Sequence, residues 1–129
     1  MTGQIGELET VAHHNTDYLH VIFTAPLVQL AVMCLRPGEQ MGTDAPAGAF
    51  RFLRVESGEA KVVFDQLNEE RTVRGGERLV VSHGVSHRVI NASKTALLKL
   101  YTIISPPSLP DETVHHTKAD ADAAASARG

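Results

Sequence analysis

Histidine is the residue type in this sequence with the widest chemical potential, because the imidazole ring is the commonest metal ligand in proteins. Seven of the 129 residues are histidines. They are His13, His14, His20, His83, His87, His115 and His116. In strands, the two members of an adjacent pair point to opposite faces, so each pair offers one ligand at most. The count raises a metal site as the first functional question, but no histidine lies between His20 and His83.

Composition and charge exclude several classes of function. The chain has 12 Lys and Arg against 15 Asp and Glu, a net charge of −3, and no basic stripe that could neutralise phosphates. Its apolar runs fall short of the roughly 18–20 residues of a membrane helix, and an acidic N-terminus does not resemble a secretory signal. The single cysteine, Cys34, excludes an intramolecular disulfide, and we expect it to be a small core residue on an inner face. We therefore expect a cytoplasmic protein that binds neither nucleic acid nor membrane.

Short runs of β-type alternation must position any site, and turn signals separate them about every eight to twelve residues. The predicted strands are 18–24, 27–35, 50–56, 60–65, 71–73, 78–81, 87–91 and 96–105. This rhythm predicts an all-β domain over residues 18–105, preceded by an N-terminal arm over residues 1–17. Residues 106–129 begin with prolines and end in helix formers, which predicts an outer extended segment and then a short helix or a disordered tail.

One segment with regularly spaced glycines carries a resemblance to a known family. It reads Gly76, five residues, Ser82, one residue, Gly84, two residues, His87, three residues and Asn91. This segment resembles the second motif of the cupin superfamily, with Ser82 where the family usually has proline. The resemblance puts His87 on a metal-ligand position of the family.

A second segment, from Gly38 to Gly58, has the glycine spacing of the first cupin motif. Together with the proline-rich end of the chain, the two segments make residues 18–116 similar to small single-domain bacterial cupins. The resemblance implies a jelly-roll fold, a double-stranded antiparallel β-barrel with a pocket inside it, and usually a homodimer. Because this fold serves many unrelated activities, the function has to be argued from the site.

The first motif departs from the family at the positions that would bind a metal. Carried over position by position, the four ligands become Asp44, Pro46, Arg51 and His87. Pro46 has no donor atom, and Arg51 places a permanent positive charge where a carboxylate would neutralise the cation. We therefore predict no metal and no other cofactor. If this alignment is wrong, the chain is an ordinary metal-dependent cupin, a dioxygenase or isomerase, with zinc, iron, manganese or nickel.

Without a metal, the resemblance still implies a small, mostly apolar pocket in which Asp44, Arg51 and His87 are the polar group. Its predicted apolar lining is Met33, Phe52 and Val89. One interpretation is structural, with Arg51 paired to Asp44 and nothing bound. The function that we predict is binding of a small anionic metabolite by Arg51 and His87. The alternative is a cofactor-free isomerase, cyclase or lyase in which His87, oriented by Asp44, transfers a proton.

The terminal segments have predicted roles of their own. Cupin-like domains often cover their edge strands by exchanging terminal segments between subunits, so the resemblance implies a homodimer formed through these segments. A third interpretation of the function is a sensing or scaffold module, in which the barrel binds a metabolite or a partner and the C-terminal segment mediates dimerisation. Within the C-terminal segment, His115 follows the prolines, and we expect it to fold back over the mouth of the pocket.

Overall fold

The alternating runs of the sequence form two antiparallel sheets in a computed structural model that describes residues 6–41, 50–81 and 85–128. The strands in these ranges are β1 (Leu19–Thr24), β2 (Gln29–Leu35), β3 (Gln40–Met41), β4 (Phe50–Ser57), β5 (Glu59–Phe64), β6 (Glu69–Arg74), β7 (Arg78–Val81), β8 (Arg88–Asn91), β9 (Leu98–Ser105) and β10 (Val114–His115). A single 3₁₀ turn, Asp65–Leu67, joins β5 to β6. The predicted strands are confirmed to within a few residues at their ends.

The two sheets differ in size and have a jelly-roll arrangement. The larger has six strands in the order β10-β1-β2-β9-β4-β7, and the smaller has four in the order β3-β8-β5-β6. Neighbouring strands are antiparallel, and several pairs, among them β2–β9, β4–β9 and β5–β8, join strands that are distant in sequence, as in Greek-key folds. The predicted all-β, jelly-roll fold is therefore confirmed.

Strand β4 shows how the alternation divides the two faces of the larger sheet. Its residues Arg51, Leu53 and Val55 pair with alternate residues of β9 and point to the interior, where Leu53 and Val55 are fully buried. Phe52 and Arg54 consequently point outward. On β2, Met33 shares the inner face and Cys34 the outer one. Cys34 is buried as predicted, but on the face over which the N-terminal helix packs, so its predicted inner-face position is wrong.

The glycines of the two motifs hold turns that other residues would strain. Gly38, Gly58 and Gly76 all have positive φ angles. At Gly58, with φ of +90°, a Cβ atom would lie 2.6 Å from the carbonyl oxygen of Leu97. The backbone there approaches β9 too closely for any side chain, so this glycine fixes the position of β4 against β9.

A helix lies at each end of the described chain. The first, α1 (Leu8–His14), falls in the predicted N-terminal arm, where the sequence patterns predicted no helix. The second, α2 (Lys118–Arg128), confirms the predicted short C-terminal helix. Within the described ranges, neither helix has the length and the apolar character that crossing a bilayer requires.

Candidate ligand-binding site

A cavity of about 310 Å³ lies between the inner face of the larger sheet and the C-terminal segment. Strands of the sheet provide one wall, residues 108 and 109 a second, and α2 a third. The lining residues are Tyr18, Leu19, Met33, Met41, Arg51, Thr102, Ile104, Ser108, Leu109, His115, Ala121, Asp122 and Ala125. Most of this surface is apolar, with a few polar groups that converge on it, as in ordinary small-molecule sites.

Arg51 is the principal polar group of this wall. Its place on β4 aims the side chain inward, and the Nε and Nη1 atoms are buried without a hydrogen-bond partner among the described residues. Burial lowers the pKa of Arg51, while the nearby Tyr18 acts in the opposite direction. A guanidinium does not lose its charge in proteins. The described residues therefore leave a buried cation without a charged partner on the cavity wall, and an anion beside it would stabilise it.

His87 lies immediately before β8 and is completely buried, and it is not among the residues that line the cavity. Its Nδ1 atom is 3.2 Å from the carbonyl oxygen of Val85. The pKa of His87 is lowered, chiefly by burial and further by the charge of Arg51, although the contact with Val85 opposes the shift. The ring is thus neutral at pH 7, with Nδ1–H donating to Val85. The buried Nε2 has no partner among the described residues and presents a free lone pair.

Tyr18 is a polar residue of the cavity that the sequence did not single out. Its hydroxyl donates to the backbone oxygen of Gln40 over 3.1 Å, which ties the start of β1 to β3. Burial raises the pKa of Tyr18 to about 12, the negative charges of Asp122 and Glu39 add to the effect, and Arg51 opposes it. Tyr18 therefore stays a neutral phenol beside Arg51. The strand period gives no signal for it, because Tyr18 is the neighbour of the inward-facing Leu19 and alternation would place it on the other face.

The C-terminal segment is held over the cavity by specific polar contacts. Gln29, fully buried on β2, donates to the carbonyl oxygen of Leu109 over 2.9 Å and accepts its N–H over 3.2 Å. Farther along, Thr117 and Asp120 form a reciprocal cap at the start of α2. Ala121 then packs against the core. The helix thus covers the cavity through small side chains.

The structure brings together some of the predicted site residues and separates others. Met33 and Arg51 lie on the cavity wall, and so does His115, which reaches it from strand β10 beside Leu19. Val89 is buried in the core, paired with Met41 and Val62.

Phe52 does not line the cavity, and its predicted place there is wrong. It is the strand neighbour of Arg51 and therefore faces the other side of the sheet, where its ring lies 6.2 Å from that of Tyr101. The predicted residues Asp44, Pro46 and His83 lie outside the described residues. Among the described residues, the carbonyl oxygen of Val85 is the hydrogen-bond partner of His87, and the predicted contact with Asp44 stays a prediction.

In the part of the chain that the structure describes, the donor atoms near Arg51 do not fit a resident metal ion. The guanidinium stands at the position where the resemblance implies a carboxylate ligand, and it would repel a divalent cation. His87 offers one neutral lone pair. Within residues 6–41, 50–81 and 85–128, no three His, Cys, Asp or Glu side chains are grouped so that they could hold a metal.

Comparison with known proteins places this fold among close and distant relatives. The uncharacterized protein YrkC of Bacillus subtilis (strain 168) is 40% identical over 114 residues, which cover 85% of this chain and 61% of YrkC. The crystal structure of BH2720 from Bacillus halodurans is 31% identical, covers 93% of both chains and superimposes with a TM-score of 0.87. The Cupin_2 domain of an XRE family transcriptional regulator from Enterobacter cloacae is 20% identical, with a TM-score of 0.60, over 73% of this chain and 100% of that one.

The matches also have limits. No family model matches the chain. The chain spans about three-fifths of the length of the curated relatives that it matches. At 20% identity, the likeness to the Enterobacter cloacae domain concerns the fold alone.

Proposed function

Because the chain has the fold of solved cupin domains, and this fold serves many activities, we propose its function from the cavity: it binds a small anionic molecule through Arg51. The observation that carries this proposal is the buried guanidinium on the cavity wall, with two nitrogen atoms unpartnered among the described residues. A carboxylate or another planar oxyanion supplies the two acceptors that a guanidinium fork requires.

Neighbouring groups support an anion in this position. The Tyr18 hydroxyl and the Thr102 side chain are neutral, and both line the same cavity as Arg51. His115, on the far strand β10, adds a ring that donates one or two hydrogen bonds according to its protonation. The pocket that we propose is metal-free, because the donor atoms described above suit an anion rather than a cation.

The test compares two arginines of β4. We expect isothermal titration calorimetry with acetate, benzoate, hexanoate and inorganic phosphate to find at least one anion that binds the wild type. Arg51→Gln should weaken that binding about 100-fold or more, since it removes a charged donor from a buried site. Arg54→Gln is the matched control, because Arg54 lies on the outer face of the same strand and should leave binding unchanged.

Two results would overturn the proposal. One is that no anion of the panel binds the wild type. The other is that Arg54→Gln weakens binding as much as Arg51→Gln. Elemental analysis of untagged protein provides a separate check, because stoichiometric zinc, iron, manganese or nickel would favour an ordinary metal-dependent cupin.

A second candidate function is a cofactor-free isomerase, cyclase or lyase that uses His87 as the acid and base. The observation that favours it is the neutral ring of His87, whose Nδ1 is engaged by Val85 and whose Nε2 lone pair is free among the described residues. Such a base removes a proton next to a carbonyl group, and Arg51 stabilises the enolate that forms.

Exchange of the methyl protons of pyruvate in deuterated water tests this second candidate by NMR. We expect the wild type to accelerate the exchange. His87→Gln should abolish the acceleration and keep pyruvate binding, whereas Arg51→Gln should weaken both. If the wild type exchanges the methyl protons no faster than the uncatalysed rate, the enzyme hypothesis is wrong and binding is the function that remains.

We propose that the protein is a homodimer formed through its terminal segments. Strand β10 is an edge of the larger sheet, and its Val114 is 39% exposed. Val11 of α1, at the other terminus, is 40% exposed. Sedimentation analysis of the wild type and of Val114→Lys tests this, since a charge on the edge should shift a dimer toward the monomer. The cytoplasmic location stays a prediction.

A further inference from the structure

We propose that Asp122 of α2 makes the cavity select ligands that carry one negative charge and an apolar body over ligands with two negative charges. The inference rests on the proposed function and specifies the class of anion. It makes Asp122 a specificity-determining residue and α2 the element that presents it. The cavity thereby has a cationic wall at Arg51 and an anionic rim at Asp122.

The walls around Arg51 determine the body of the ligand. Seven of the lining residues are apolar: Leu19, Met33, Met41, Ile104, Leu109, Ala121 and Ala125. A molecule whose acid group reaches Arg51 must therefore place the rest of its atoms against hydrocarbon and thioether groups. The volume of about 310 Å³ is at the lower end of the range for ligand sites. The ligand is consequently small, and the methionines can adapt to its shape.

Asp122 determines the charge. It lines the same cavity as Arg51, and its carboxylate contributes to the raised pKa of Tyr18 on the opposite wall. Its side chain is 66% exposed and therefore lies at the rim rather than in the interior. A second anionic group on a ligand held at Arg51 would extend toward this rim, where Asp122 repels it.

Lys118 moderates this repulsion. Its Nζ atom lies 3.0 and 3.1 Å from the two carboxylate oxygens of Asp122, one turn along the same helix. The pair is solvent-exposed on the carboxylate side, so the lysine screens the charge of Asp122 without cancelling it. Removing Lys118 should therefore sharpen the discrimination, and removing the charge of Asp122 should relax it.

The experiment measures the ratio of the affinities for hexanoate and adipate, which have six carbons each and differ in the second carboxylate. We expect the wild type to prefer hexanoate about tenfold or more. Asp122→Asn should reduce this ratio about threefold to fivefold, and Lys118→Gln should increase it. Asp120→Asn is the matched control, because it removes the same charge from the same helix at a residue outside the cavity lining.

Salt concentration gives an independent readout. Between about 20 and 500 mM NaCl, the preference of the wild type for hexanoate should shrink, since an exposed carboxylate is screened. In Asp122→Asn it should change less. Circular dichroism confirms that each variant is folded.

The outcomes separate this inference from the proposed function. If hexanoate binds through Arg51 but Asp122→Asn keeps the wild-type ratio, or if Asp120→Asn changes it equally, the selection by Asp122 is wrong and anion binding stands. If neither acid nor any anion of the earlier panel binds the wild type, both proposals are wrong.

Discussion

Arg51 and Arg54 lie three residues apart on the same strand and have opposite surroundings. Arg54 is on the outer face of the larger sheet, within 3.7 Å of Glu9 on α1 and 3.5 Å of Glu56 on its own strand. Arg51 is on the inner face, and no carboxylate among the described residues pairs with it. The adjacent Tyr101 side chain and then Glu56 raise the pKa of Arg54, whereas burial lowers that of Arg51.

The difference separates a structural cation from one that is available to a ligand. Arg54 belongs to a network that attaches α1 to the sheet, in which His13 lies 3.7 Å from Glu56 and Lys99 donates to the backbone oxygen of His13. Among the described residues, none forms a hydrogen bond with the buried Nε and Nη1 atoms of Arg51. A buried charge that the fold leaves unpaired destabilises the protein, so its presence calls for another explanation, and ligand binding is the one that we propose.

The largest effect that we expect comes from replacing each arginine with methionine. Arg51→Met should raise the free energy of unfolding of the ligand-free protein by roughly 1–3 kcal/mol, because an apolar chain of similar length replaces an unpaired buried charge. Arg54→Met should lower it, since Glu9 and Glu56 lose their cation. Urea denaturation of both variants at pH 7 measures the two effects.

If the unfolding free energy rises in Arg51→Met and falls in Arg54→Met, the contrast between the two faces of β4 is supported. A loss of stability in Arg51→Met as large as that in Arg54→Met would break it, because it would mean that Arg51 has an internal partner. The slope of the unfolding transition should stay that of the wild type in both variants, which confirms that they unfold from the same fold.

From the buried position of His87 we predict that the protein loses stability in acid. The folded-state pKa of His87 is lowered from about 6.5. Above pH 6.5 the residue is neutral in both the folded and the unfolded state, and its titration costs no stability. As the pH falls below 6.5, the unfolded chain takes up a proton that the folded protein resists, so stability declines until the folded-state pKa is reached. The slope of this decline is limited to about 1.4 kcal/mol per pH unit for one proton.

His87→Gln removes this titration and nearly keeps the size of the side chain. The difference in unfolding free energy between wild type and variant, measured from pH 8 to pH 5, should narrow as the pH falls. A constant difference over this range would show that His87 titrates alike in both states, contrary to its buried position. Because the variant is subtracted from the wild type at each pH, the contributions of the other titrating groups cancel.

The sequence predicted much of this arrangement, and its failures have physical causes. The pocket position of Arg51 followed from the resemblance to the first cupin motif, which rests on the glycine spacing. The strand period, which is local, places Phe52 on the opposite face from Arg51, although we had predicted both in the pocket. Alternation fixes the face of a sheet, and an outer face can also be apolar where a helix or another chain covers it.

The covering elements could not be predicted, because they depend on tertiary contacts. Helix α1 is seven residues long and has no side-chain cap, so its stability comes from packing of Ala12 and from the contact of Lys99 with His13. For α2 the helix was predicted, but its docking on the cavity was not. Asp122 therefore carried no signal as a site residue, since nothing in a run of alanines and aspartates indicates which face meets the sheet.

The smallest effect that we expect concerns His116, an exposed counterpart of His87. Its Nδ1 lies 2.6 Å from the carboxylate of Asp17, and this hydrogen bond, followed by the charge of Asp17 and then that of Asp120, raises its pKa above 6.5. His20 shares the same carboxylate at 3.8 Å. The contribution of His116 is therefore present below pH 6.5 and disappears as the pH rises through its folded-state pKa, which is the opposite direction to His87.

His116→Gln should accordingly lower the urea midpoint at pH 5.5 and leave it unchanged at pH 9. Asp17→Asn should produce the same pH-dependent loss, because it removes the same pair from the other side, and His14→Gln serves as a control on a neighbouring histidine. The effect should be small and should decrease with salt, since the His116 side chain is 75% exposed. A larger loss at pH 9 than at pH 5.5 would mean that His116 holds the base of α2 by packing rather than by charge. The contrast between His116 and His87 would then lie in burial alone, because the exposed, paired histidine and the buried, neutral one would no longer respond to pH in opposite directions.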